Sequence, residues 1–285
     1  MPNILGRRAL PAGRISGLGA QDISETLQLE TFDFLEAPLL ISLMLLDPDT
    51  LERVVPDEVD PDDATGRAAL ELHLDRYRLA AREARPGRLL DIACGVGYGT
   101  RLVADEAPVA VAALGVDISP EAIAYARTRY GRPGVDFRVA NALEFEDDER
   151  FDTVVSLETL EHIPEPSKFV ARLIGMLRPG GVLVASVPVT PSVDVNPHHR
   201  CDFTERSFRR LFTEHGLTEQ ASFRQVQQVP ILAVLRGSER RLADVKRSLP
   251  AYYVRHPDAA LRRIWATVRH GFTNRYVTIA WKRPG

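Results

Sequence analysis

Three glycines, Gly95, Gly97 and Gly99, fall within five positions of the stretch LLDIACGVGYGT, Leu89 to Thr100. They follow a short apolar run and lead into the helix-like GTRLVADEA. Glycine lets a backbone turn tightly and approach a ligand with no side chain between them. The helix N-terminus that follows adds free N–H groups and the positive end of a dipole. Asp117 closes the next apolar run, 18 residues after Gly99, where an acid accepts both hydroxyls of a ribose. Together these features suit a ligand that carries a ribose. The spacing is G-x-G-x-G, and Thr100 takes the last glycine place of the dinucleotide fingerprint G-x-G-x-x-G. Asp91, just ahead of Ala93, Cys94 and Gly95, suits a ligand with an ammonium group better than one with a diphosphate. Further on, His162 follows one apolar run, and His198 and His199 follow another. Histidine is the usual proton acceptor near neutral pH.

These residues need a frame. From Gly87 onward short apolar runs alternate with helical patterns. The runs GRLLDIA, VAALGVDI, VDFRVAN, FDTVVSLE and VLVASVP read as strands. Between them, SPEAIAYARTRYG has Ser119 as N-cap and Pro120 in its first turn. PSKFVARLIGMLRPGG reads as a helix ended by Pro-Gly-Gly, and TERSFRRLFTEHG as a helix stopped at Gly216. Such repeats predict a mostly parallel sheet with helices on both faces. Two further strands, TEQASFRQVQQV and RYVTIAWKR, break the βα rhythm and sit poorly with a purely parallel six-strand sheet, with helix-like residues between them. Ahead of the sheet, RAALELHLDRYRLAAREA places Leu70, Leu74, Tyr77 and Ala81 on a helical face. Residues 1–66 are expected to form an arm and helical cap, and 67–285 the catalytic domain. Residues 229–272 are expected to be an insertion that closes over an acceptor.

Composition excludes several classes. The 285-residue chain is 45% hydrophobic and 26% charged, as globular proteins are. Its two cysteines make no disulfide framework, and a reducing, cytoplasmic setting is expected. The longest apolar run, APLLISLMLL, is half of what a bilayer needs. No apolar h-region marks the N-terminus as a signal peptide. From Arg200 to Gly285 there are 17 Arg/Lys against 7 Asp/Glu, and before it 19 against 32. Such asymmetry marks either an anionic partner (a phosphorylated substrate, a carrier protein, a membrane face) or a solvated helical surface.

LLDIACGVGYGT, LGVDISPEAIAYA, VANALEFE, FDTVVSLETLEHIPEP and LRPGGVLVASVP occur in this order and at the usual spacing. Together they resemble a class I S-adenosylmethionine-dependent methyltransferase, over about residues 67 to 225. HLDRYRLAA and NPHHRCDFTERSFRRLF resemble a bacterial branch that often accompanies glycan or natural-product biosynthesis. The resemblance implies a Rossmann-like α/β sheet, mostly parallel with the last strand antiparallel, and S-adenosylmethionine as cofactor. It implies that Asp91 and the backbone from Ala93 through Cys94 and Gly95 to Gly97 hold the methionine end. Asp117 would hold the ribose, with Ile118 against the adenine. Asn141 and Ala142 would face the adenine edge, and Glu158 the methionine portion. Ala93 stands where many members have glycine, and Asn141 where many have aspartate. Arg76 either pairs with the cofactor carboxylate or is a surface arginine beside a core Tyr77. Cys94 is expected to pack rather than react.

Methyl transfer to oxygen or nitrogen is an in-line displacement, which the enzyme assists mainly by alignment. A hydroxyl acceptor must also lose its proton. His199 takes the histidine place of the branch pattern N-P-x-H and is the first candidate for the base, then His162, then His198. His198, His199, Asp202 and Glu161 are also a conceivable divalent-ion set, but no ligand spacing distinguishes them from chance, and no metal is expected. The expected reaction is O-methylation of a small-molecule acceptor, a sugar or natural product, anionic or carrier-bound. N-methylation of an amine is the alternative, and a catalytically silent cofactor-binding protein is the alternative of another class. Thr100 and the last strands argue against an NAD-dependent oxidoreductase. Nucleic acid is not an expected partner, since no RNA-binding motif or aromatic-basic stripe occurs.

Overall fold

The computed structural model describes residues 54–60, 62–109, 111–228 and 249–285. Residues 1–53 of the expected arm and helical cap, and residues 229–248 of the insertion, lie outside the described residues. Seven strands make one sheet: β1 Gly87–Ile92, β2 Val111–Asp117, β3 Val135–Val139, β4 Phe151–Leu157, β5 Leu177–Pro188, β6 Thr218–Gln228 and β7 Thr273–Lys282. Their order is β3-β2-β1-β4-β5-β7-β6. The first five pair in parallel. Only β7 runs antiparallel, wedged between β5 and β6. The predicted antiparallel last strand is therefore present, inside the sheet, with the polar β6 at the edge.

Two apolar layers flank the sheet, because β1 sends Leu89 to one face and Leu90 to the other. Leu89 joins residues of α1 Ala64–Glu83, α2 Tyr98–Glu106 and α3 Pro120–Tyr130. Leu90 joins α4 Pro166–Met176 and α5 Glu205–Thr213. There Trp281 of β7 stacks on Phe212 of α5, with ring centroids 4.9 Å apart. Fully burying a large apolar side chain of this kind contributes about 1.5–3 kcal/mol.

Two local readings are corrected. The buried residues of α1 are Gly66, Ala69, Arg76, Tyr77, Leu79, Ala80 and Ala81, while Leu70 and Leu74 are only half-buried. The stripe is turned from the expected one because alanines let α1 sit close and Arg76 finds polar partners inside. The helix α4 ends at Met176, before Pro-Gly-Gly, because Leu177 pairs with Phe151 and begins β5. Gly180, at φ +75°, bends the strand to resume pairing at Val182 after a register shift.

Capping agrees with the sequence. Ser119 Oγ accepts from Ala122 N–H at 3.1 Å. Thr204 and Ser207 cap α5 reciprocally. Between β6 and β7 the described part of the insertion forms α6 Leu249–Arg255 and α7 Pro257–His270. No helix among the described residues is long and apolar enough to cross a membrane.

Candidate functional site

The parallel strands bring their carboxyl ends to one rim, where ligands bind in such sheets. The glycine loop opens this rim. Ala93 lies at φ +61° and Gly97 at φ +86°, and Gly97 is the N-cap of α2. Gly99 serves another end: a Cβ there would stand 2.0 Å from the Tyr77 ring. Its lack of a side chain lets α2 pack against α1. The three glycines of the opening motif therefore divide between loop geometry and close packing. Cys94 is used up inside the protein: its N–H goes to the Val116 carbonyl and its buried thiol donates to the Gly95 carbonyl at 3.7 Å. Burial pushes that thiol well above its ordinary range, which leaves it packed and unreactive.

Asp117 ends β2 beside this loop. Its Oδ2 accepts from Gly95 N–H at 2.9 Å and its Oδ1 from Ser119 N–H at 3.0 Å. The carboxylate thus ties the loop to the strand end. On the next strand end, Asn141 Oδ1 accepts from Leu143 N–H at 3.0 Å. Ile118 is 65% exposed and Leu143 43%, an apolar surface left open at the ends of β2 and β3, with Ala142 half-buried beside it.

Asp91 is almost wholly buried, and Thr100 Oγ1 donates to its Oδ2 at 2.6 Å. Burial pushes its carboxyl up to about 7, against the hydrogen bonds of Thr100 and Tyr77. Glu158, after β4, sits at φ +48°, a backbone region that costs a non-glycine residue about 1–3 kcal/mol. It is held there: Ser186 Oγ donates to its Oε1 at 2.6 Å. Arg76 reaches Glu158 Oε1 at 3.5 Å and donates through Nε to Gln225 Oε1 at 2.8 Å. Its guanidinium also lies 4.3 Å from the centre of the Tyr276 ring. Arg76 is therefore no surface residue. Its Nη1 is buried and has no hydrogen-bond partner in the protein.

The arrangement fits S-adenosylmethionine on four observations. Asp91 is a buried carboxyl facing hydroxyls, ready for an ammonium. Arg76 Nη1 makes no hydrogen bond, lies 3.5 Å from Glu158 Oε1, and is a buried cation that would draw a carboxylate. Ile118 and Leu143 offer apolar surface for a base, and nothing stands within 4 Å of where a side chain on Gly95 would be.

The acceptor side is built from the segments after β4 and β5. Arg200 N–H and Cys201 N–H both donate to the Glu161 carbonyl, at 2.7 and 3.3 Å, which joins the two segments. His162 and His199 then meet edge to face, with centroids 4.8 Å apart and planes at 85°. His162 Nδ1 donates to the His198 carbonyl at 3.3 Å, and His199 Nδ1 lies 2.6 Å from Ser192 Oγ. Ligand atoms of Glu161, His162 and His199 all lie within 4.8 Å of one another. The divalent-ion set weighed from sequence is thus corrected. His198 is exposed and outside this group, and Asp202 Oδ1 instead accepts from Ser192 N–H and Val193 N–H.

Sequence reasoning missed the support of this loop. Asp194 is buried and receives Tyr253 Oη–H at 2.7 Å and Arg263 Nε–H at 2.8 Å. Although burial works against its charge, Arg263 and Tyr253 hold its carboxyl below the ordinary range. Arg263 also donates to the Pro191 carbonyl. Ser186 and Gln225 had a faint signal, as polar residues within strand patterns. Asp194 and Arg263 had none, being 69 positions apart.

Residues 90–185 match a family model described as a methyltransferase domain. A protein of Mycolicibacterium smegmatis described as a probable S-adenosylmethionine-dependent methyltransferase is 31% identical over 176 residues. That match takes in 59% of this chain and 65% of the relative, so this chain spans less than two thirds of its length. Residues 90–185 are a methyltransferase domain, in a chain whose relatives are described as S-adenosylmethionine-dependent methyltransferases. A ubiquinone biosynthesis O-methyltransferase of Bradyrhizobium is 36% identical over 105 residues, 35% of this chain and 39% of the relative. Among solved structures, an N-methyltransferase of Bradyrhizobium japonicum in complex with S-adenosyl-L-homocysteine superposes with a TM-score of 0.54 at 18% identity. It covers 89% of this chain and all of that one. A [4+2]-cyclase superposes with a TM-score of 0.52 at 20% identity, covering 80% and 86%. Likeness at this identity concerns the fold alone, and the cyclase illustrates why function must be argued from the site.

Proposed function

We propose that this protein methylates a hydroxyl of a small-molecule acceptor, with S-adenosylmethionine as donor. The carrying observation is the His162–His199 pair beside Glu161, at the rim that bears Asp91, Asp117 and Glu158. When bound, the cofactor supplies an electrophilic methyl group. Asp91 and Glu158 bind its ammonium end, Arg76 Nη1 its carboxylate, and Asp117 its ribose. Asn141, Ala142, Ile118 and Leu143 line the adenine. With Nδ1–H donated to Ser192, His199 Nε2 carries the lone pair that accepts the acceptor's proton. Glu161 places a carboxylate oxygen within 4.8 Å of a His199 ring nitrogen. His162 packs edge-on and holds the ring's orientation, and α6 and α7 brace the loop and close over the acceptor. The O-methyltransferase among the relatives supports oxygen as the target, with nitrogen as the alternative.

A second reading has its own observation. Glu161, His162 and His199 are a carboxylate and two imidazoles, both anchored through Nδ1 as metal-bound histidines usually are. A divalent ion held there would acidify an acceptor hydroxyl directly.

The test is transfer of a labelled methyl group to paired hydroxyl and amine acceptors, with and without chelator. Transfer to hydroxyls that survives chelation supports the histidine base, and loss on chelation with rescue by Mg²⁺, Mn²⁺ or Zn²⁺ supports the metal. Binding of the cofactor without transfer to any acceptor class would sink both and favour a silent binding protein.

A further inference from the structure

The helix α7 wears its apolar face outward. Leu261, Ile264, Trp265 and Val268 recur at the three- and four-residue spacing of one helical face. All four are exposed: Val268 by 77%, Leu261 by 68%, Trp265 by 66% and Ile264 by 59%. Phe272, just past the helix, and Val254 on α6 extend the exposed apolar surface. The side turned to the protein instead bears the small Ala259, which is buried, and Arg263, which holds Asp194. Surface helices ordinarily do the reverse. A contiguous apolar patch of this kind marks an interaction surface.

Charge decides the partner. Arg262 and Arg269, both exposed, border the apolar stripe, and Arg255 is exposed on α6. Along α6 and α7 the exposed cations are Arg255, Arg262 and Arg269, and the one acid, Asp258, pairs with Arg262 at 2.9 Å. A second copy of this face would bring cations against cations, which disfavours pairing. A lipid surface bearing anionic headgroups is complementary in both respects. Aliphatic and indole side chains sit at the acyl boundary while guanidinium groups meet phosphates.

We propose that the outer face of α7, with Val254 and Phe272, seats this protein on an anionic membrane surface. The same helix reaches the candidate site. Arg263, on its inner side, binds Asp194 and the Pro191 carbonyl, and Ser192 between them contacts His199. Resting on the methyl-transfer reading, this geometry makes the acceptor an amphiphile drawn from that surface.

The test uses the full chain with sucrose-loaded vesicles of phosphatidylcholine, alone or mixed with phosphatidylglycerol. Co-sedimentation with the mixed vesicles only, weakened by salt, is expected, with a blue shift of tryptophan emission. Trp281 is wholly buried, so Trp265→Phe should abolish the shift. Leu261→Asp with Val268→Asp should weaken vesicle binding by more than about tenfold while leaving cofactor binding intact. Should that pair fail to fold, Leu261→Ser alone should weaken binding in the same direction. Absence of co-sedimentation overturns the proposal. So does blue, acrylamide-shielded Trp265 emission before vesicles are added, since the chain itself or a second copy would then cover the stripe. Vesicle binding is read without turnover, so failure of methyl transfer leaves this result standing.

Discussion

His162 and His199 are 37 positions apart in the chain, yet their rings meet at 4.8 Å and 85°. The contact exists because β4 and β5 are parallel neighbours whose following segments are joined through the Glu161 carbonyl. If His199 is the base, His199→Ala should lower turnover by about 10²–10⁴-fold with cofactor affinity unchanged. His198→Ala should change little. Turnover assays with calorimetry on the same proteins decide it, and equal activity of the His199 variant would remove that residue from the mechanism.

Asp117 accepts from the Gly95 and Ser119 amides and is also the ribose candidate. Asp117→Ala should weaken S-adenosylmethionine by roughly 1–3 kcal/mol and lower Tm as well. Calorimetric titration with unchanged affinity would place the ribose elsewhere.

Asp91 carries a pH signature. Its carboxyl stands at about 7 in the folded protein, against an ordinary 3.8. The folded state therefore keeps a proton that the unfolded chain releases within that window. Its contribution to stability is full below the ordinary value and is lost as pH rises through about 7. The Tm of the cofactor-free protein should fall across this window, and Asp91→Asn should flatten that fall. Superimposable curves for the two proteins would refute the assignment. A cofactor ammonium beside Asp91 should also release its proton on binding, which calorimetry in buffers of different ionisation enthalpy reads.

Ala93 holds a left-handed backbone that strains any side chain. Ala93→Gly should raise stability by about 1 kcal/mol in urea denaturation. A loss would mean that the Ala93 methyl packs better than its backbone suffers.

Gly99→Ala tests packing instead. Its Cβ would overlap the Tyr77 ring, so α1 and α2 must part. A cost of about 1–3 kcal/mol is expected, and an unchanged Tm would contradict the close approach.

Periodicity and local punctuation are properties of neighbours along the chain, so the sequence by itself determined the alternation of strands and helices. It also placed the Ser119 cap, the glycine loop and the acids at the ends of β1 and β2. A strand's successor is positioned by the sheet, so residues next to strand ends, such as Asp117, Asn141 and Glu158, could be placed at the rim in advance. What depends on contacts between distant segments was silent. Tertiary structure alone turned Arg76 inward onto Glu158, Gln225 and Tyr276, and put His162 rather than His198 against His199. It tied Asp194 to Arg263 and ended α4 at Met176 because Leu177 found Phe151. The sequence could give α7 its apolar stripe and its arginines. Only the packed chain decided which side of that helix faces the protein, because Arg263 found a buried carboxylate and the leucine and tryptophan did not find a core.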